Sequence, residues 1–169
     1  MEKFSRPEET VVGMDVHKET IVAAVLPPDA ERPRETVTIT HTPQAVAKLV
    51  TRLARTGPLV FVYEAGPCGY GLQRQLTALW HRCVVIAPAL TPVRPGDRVK
   101  TDRRDAEKLA RLFRAGELTP IHVPTLEAEA ARDVVRVRED ALADRLWARN
   151  RLGKFLLRQG RRAPVATAR

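Results

Sequence analysis

Two carboxylates stand where a folded chain would not ordinarily put them, and two more share the start of a helix. Asp15 sits inside the apolar run VVGMDVHKETIVAAV, and Glu64 closes the apolar run LVFVYE just before AGPCGYG. Asp102 and Asp105 are three apart in VKTDRRDAEKLARL, a spacing that sets both on one face of a helix. An unpaired carboxylate withdrawn from water is costly, so each needs a strand end, a partner or a cation. Should the four converge, like charges about 4 Å apart at an effective dielectric of about 20 repel by about 4 kcal/mol. Cations must then hold the cluster together. Oxygen-only ligands favour hard Mg²⁺ or Mn²⁺ over zinc, and two such ions about 3.5 to 4 Å apart clamp the attacking and leaving oxygens of a phosphodiester. The chemistry so described is phosphoryl transfer on nucleic acid.

Each acid also has a plainer role. Asp15 can close a hairpin, satisfied by backbone amides or by Lys18. Asp102 as a helix N-cap and Asp105 in the first turn would each contribute about 0.3 to 1 kcal/mol. Gly66, Gly69 and Gly71 either admit a ligand backbone or simply turn the chain into a helix, and they do not form G-x-G-x-x-G. His17, His41, His81 and His122 show no metal-binding spacing and read as surface or packing residues. No Ser-His-Asp or Cys-His constellation and no Walker loop is present. Cys68 and Cys83 read as reduced, packed thiols.

Charge narrows the partner. The net charge of +9 over 169 residues calls for a polyanion. No apolar run approaches the roughly 18 residues of a membrane span, and residues 1–10 lack a signal peptide's apolar centre, so nucleic acid in the cytosol is the expected setting. Lys100, Arg103, Arg104 and Lys108 surround Asp102 and Asp105 and suit phosphate contacts, as does Lys18 in the hairpin turn beside Asp15. From Arg145 onward there are eight basic residues and no acidic one, with Arg149, Lys154 and Arg158 the candidate contacts there. A solvated helix face is the plainer account of either run.

The elements that must position these groups follow from periodicity. TVVGMDVH and ETIVAAVL alternate as two strands of an antiparallel hairpin, placing Val11, Gly13, Asp15 and His17 on one face, and RETVTIT adds a third strand. Thr42 caps a helix with Pro43 first and an apolar face of Val46, Leu49, Val50 and Leu53. PLVFVYE and RCVVIAP read as buried strands separated by a helix over GYGLQRQLTALW. A helix over Asp102–Arg114 and a long helix over Leu126–Gln159 complete the chain. This order is that of a ribonuclease H-like mixed α/β sheet with flanking helices. Actin-type and sugar-kinase ATPases open similarly, but no second Asp-x-Gly phosphate loop occurs.

The long helix presents Ala131, Val134, Val135, Leu142, Leu146, Leu152 and Leu156 on a side interrupted by Arg138, Arg145 and Arg149, with Gly153 costing it about 1 kcal/mol. At about 1.5 Å per residue it is near 50 Å long, so its distal half is expected to project toward a partner helix and nucleic acid, unless it folds back or frays.

The ordered set GMDVHK, VYEAG.CGYGL and VKTDRRDAEKLARL resembles the N-terminal region of IS110-family insertion-sequence transposases, from about Val11 to Gln159. The resemblance implies a RuvC-like domain whose Asp-Glu-Asp-Asp catalytic set falls on Asp15, Glu64, Asp102 and Asp105. It implies Mg²⁺ (or Mn²⁺), DNA as substrate, a bridge RNA as guide, and homo-oligomer assembly through the long helix, in a bacterial, nucleoid-associated setting. The implied layout is a lead-in over 1–10, a RuvC-like catalytic domain over 11–120, a coiled-coil helix over 126–159 and a basic, disordered tail over 160–169. Family members add a second domain bearing a serine nucleophile, whereas the single serine here is Ser5. The expectation is therefore a portion that binds metal and nucleic acid but does not complete recombination alone. The competing expectation is a non-catalytic basic nucleic-acid-binding module.

Overall fold

Alternation at the start of the chain becomes β1 (Thr10–Val16) and β2 (Thr20–Leu26), paired antiparallel with Asp15 opposite Val22. β3 (Glu35–Thr40) extends the meander along β2. The structure is a computed structural model that describes residues 8–92 and 101–162. Lys100, most of the lead-in with Ser5, and the basic tail after residue 162 lie outside the described residues. Two units divide the chain, Met1–Val123 and Pro124–Arg169.

α1 (Pro43–Leu53) forms as its sequence dictates. The Thr42 hydroxyl accepts from the Ala45 amide at 3.3 Å, Pro43 opens the helix, and Val46, Leu49, Val50 and Leu53 are buried. β4 (Leu59–Glu64) then pairs parallel to β1, and β5 (Arg82–Ile86) parallel to β4. The sheet order is β3-β2-β1-β4-β5, the mixed ribonuclease H-like arrangement expected from the order of elements. Residues 119–121 follow the outer edge of β5, where the Ala87 amide donates to the Thr119 carbonyl and Ile121 to Val85.

The two faces of the sheet have separate cores. α1 and α2 (Gly71–Ala78) cover one, where Val12, Met14, Ile21, Phe61 and Tyr63 meet Val46, Leu49, Leu72 and Leu76. α3 (Asp102–Arg114) covers the other, packing Leu109, Ala110 and Phe113 on Val11, Val60, Val62 and Ile86, and Ala106 on Val22 and Ala24. Gly13 sits beneath α3. A Cβ there would lie 2.6 Å from the Ala110 amide nitrogen and would collide with the Ala106 carbonyl, so glycine is what lets helix and strand touch.

Two expectations fail locally. α2 ends at Ala78 rather than running to Trp80, because Trp80 adopts a left-handed φ of 62°. Cys68 is exposed on the turn after β4, not packed. Cys83 does pack against the first core, and burial pushes its thiol pKa up. In the second unit, the Thr125 hydroxyl caps α4 (Leu126–Arg158), which has no buried residue. Val134, Val135, Leu142, Leu146 and Leu152 are exposed along it.

Candidate metal-binding and catalytic site

Parallel pairing of β1 and β4 ends with Met14 opposite Tyr63, so Asp15 and Glu64 are the next residue on each strand. Alternation from Gly13 and Val62, which face α3, puts both carboxylates on the α3 side of the sheet at its carboxyl end. Open α/β sheets build sites at that end of their strands. The contact of Ala106 and Ala110 with Gly13 seats the first turn of α3, with Asp102 and Asp105, beside Asp15.

The start of α3 corrects one sequence reading. Thr101, not Asp102, is the N-cap: its hydroxyl accepts from the Arg104 amide at 3.3 Å. Asp102 is the first helical residue, and its carboxylate is not spent on the cap. Serine, threonine and aspartate cap almost equally well, so composition alone cannot choose between neighbours.

Asp15 pairs with His17 rather than with Lys18. Nε2 of His17 lies 3.1 Å from Asp15 Oδ2 and 3.6 Å from Asp102 Oδ2, while Lys18 approaches Glu19 at 3.5 Å. The His17 carbonyl accepts from His41 Nδ1 at 2.7 Å, which fixes the hairpin end. Burial holds the Asp15 carboxyl above its ordinary value; His17 opposes that shift, and the negative charges of Asp102 and Asp105 add to it. His17, first read as a surface or packing residue, is thus part of the cluster. The signal was its spacing of two from Asp15 on one strand, which puts both on the same face.

Ligand atoms of Asp15, His17 and Asp102 all lie within 4.8 Å of one another. Asp105 is near enough to raise Asp15 but is not in that group, and neither is Glu64. Glu64 instead accepts a 2.8 Å hydrogen bond from the Thr91 hydroxyl, a partner for which the proline-rich loop sequence carries no signal. Among the cations, Arg103 Nε donates to Glu107 at 2.9 Å, and this bond holds the Glu107 carboxyl below its usual range. Lys18, Arg103 and Arg104 are exposed and Lys108 half-buried; in the second unit Arg149, Lys154 and Arg158 are exposed on α4. No described helix is long and apolar enough to cross a membrane.

The model of the IS110-type DEDD transposase family matches residues 12–159. The chain belongs to this family. The transposase of insertion sequence element IS1533 from Leptospira borgpetersenii is 40% identical over 150 residues, covering 88% of this chain and 43% of the relative. Protein y4qE of Sinorhizobium fredii is 54% identical over 104 residues, 62% of this chain and 27% of its own. This DEDD transposase chain therefore spans less than half the length of the curated relatives it matches. T. thermophilus RuvC, solved in complex with a Holliday junction substrate, aligns with 67% of the chain and 99% of its own at 14% identity and a TM-score of 0.42. For the transposase domain, two carboxylates and an imidazole converging on one point form a donor set that fits a divalent cation.

Proposed function

We propose that Asp15, Glu64, Asp102 and Asp105 are the catalytic carboxylates of this transposase domain, and that it carries out divalent-metal-dependent phosphoryl transfer on DNA. The observation that carries the reading is Asp15 itself, an acid kept on a rigid strand at the cost of a raised pKa, within reach of Asp102 from α3. Asp15 and Asp102 would hold the ion, Mg²⁺ or Mn²⁺, with Asp105 and Glu64 completing the set. Bound there, such an ion would offset the carboxylates' repulsion and polarise a phosphodiester.

The chain's own residues prepare the place. Gly13 admits α3 to the sheet, Thr101 caps the helix so that Asp102 stays available, and the Thr91 hydroxyl orients Glu64. Lys18, Arg103, Arg104 and Lys108, with Lys100, bind phosphates around this acidic centre. Arg149, Lys154 and Arg158 on α4 do the same for DNA or a bridge RNA, and α4 brings copies of the chain together. In this reading residues 11–120 are the catalytic domain, 126–159 the assembly helix, and a serine from elsewhere in the recombination assembly attacks the DNA in the bacterial nucleoid.

Mn²⁺ titrated into the wild type and into an Asp15→Asn, Glu64→Gln variant tests the shared site by electron paramagnetic resonance and thermal melting. The wild type is expected to bind and to melt higher with metal, and the variant to do neither. Equal binding by both would sink the site and leave a basic module whose acids only cap and pair.

A further inference from the structure

Trp80 is costly to the fold in two ways at once. It occupies the residue after the C-cap of α2, in a complete Schellman motif: its amide donates to the Thr77 carbonyl at 3.0 Å and the His81 amide to Leu76 at 3.0 Å. Glycine normally fills this position, because an L side chain at positive φ crowds its own backbone. Here a tryptophan takes φ 62° and leaves its side chain 95% exposed. Neither the backbone strain nor the exposed indole stabilises the domain. Backbone strain that the fold does not use is a reason to look for a function at this residue.

The surroundings identify the partner's chemistry. An open groove between the ends of α1 and α2 is lined by Val50, Thr51, Ala54, Arg55 and by Leu79 and His81, the two residues that flank Trp80 in the chain, with no acidic residue in its wall. His81 is fixed edge-on to Phe61 with ring centroids 5.9 Å apart. Lys48 on α1 and Arg55 in the turn that follows it pair with no carboxylate among the described residues. A bare indole whose chain neighbours Leu79 and His81 share a groove with the Arg55 cation suits a base face and its phosphates.

We infer that Trp80 is a stacking platform for an unpaired base of single-stranded nucleic acid, whose phosphates follow Arg55 and Lys48. Trp80 precedes β5, at the opposite end of the sheet from the carboxylates. The contact is therefore separate from the metal site and rests on the proposed function only in taking nucleic acid as the partner. Duplex DNA offers no base face without unstacking, which selects a single strand.

The test measures anisotropy of a fluorescein-labelled oligodeoxythymidylate with the full chain in EDTA. Trp80→Gly is expected to bind about tenfold more weakly while melting at the same or a higher temperature, because glycine relieves the left-handed strain. Trp80→Phe should keep most of the affinity. In Trp147→Phe protein, where Trp80 is the sole tryptophan, the oligonucleotide should quench the fluorescence. Unchanged affinity of Trp80→Gly overturns the inference while leaving the metal site standing, since Mn²⁺ stabilisation is read separately. Loss of self-association without loss of affinity overturns it in favour of a protein contact, and a wild type that binds no oligonucleotide overturns it outright.

Discussion

The sheet and its three helices bury most of their large apolar residues against one another, whereas α4 has no buried residue. Val12, Phe61 and Leu76 are fully buried in the first unit, while Leu146, Trp147 and Phe155 on α4 are more than half exposed. The contrast separates two uses of hydrophobicity. In the first unit it holds the strand and helix that carry the carboxylates in place. On α4 the same residue types stay exposed, a face of the kind that a second helix can cover.

The largest test of this contrast is Phe61→Ala, expected to cost the first unit about 4 kcal/mol in urea unfolding. Gly13→Ala should follow at about 2 to 3 kcal/mol, because the new methyl meets backbone of α3 that cannot rotate away, and Mn²⁺ binding should weaken with it. Thr101→Ala should cost about 1 kcal/mol as a lost cap.

Asp15→Asn sharpens the comparison inside the first unit by acting with the opposite sign. The folded Asp15 binds its proton more tightly than the unfolded one, so its contribution is complete below the ordinary value of 3.8 and is lost as pH rises through the raised folded value. In EDTA the wild type should lose stability relative to the asparagine variant as pH rises above 3.8, until the folded carboxyl has given up its proton. Parallel pH curves for the two proteins would show that burial does not strain this carboxylate. Smallest of all, Leu146→Ala should move the unfolding of the first unit by no more than about 0.5 kcal/mol, and a shift as large as that of Phe61→Ala would break the contrast.

Legibility in the sequence followed the locality of each signal. Thr42-Pro43 announces α1 because cap and first helical residue are neighbours, and alternation through Val11, Gly13 and Asp15 reveals their shared face before any contact is known. Asp15 and Glu64 are legible as acids set in apolar strands, and their common side of the sheet follows from strand register, whereas Asp102 and Asp105 read equally well as a cap and a first-turn acid until α3 is seated beside Asp15. What escaped depended on choices that residue type does not make. Thr101 and Asp102 are near-equivalent caps, a tryptophan in the left-handed region leaves no mark in composition, and the Thr91 bond to Glu64 spans a loop. His17 is hard to read for a different reason. Its spacing from Asp15 was plain, but a lone histidine without a metal pattern is ordinarily a surface residue.

Gly13 under Ala106 and Ala110 also sets an order in time. Among the described residues, the strand that carries Asp15 is the first regular element of the first unit and the helix that carries Asp102 is the last. Contacts so far apart in the chain carry a large loop-closure cost. On the ribosome, Asp15 and Asp102 stay apart until α3 has emerged and docked on the glycine. A nascent or half-made chain therefore has no assembled acidic centre.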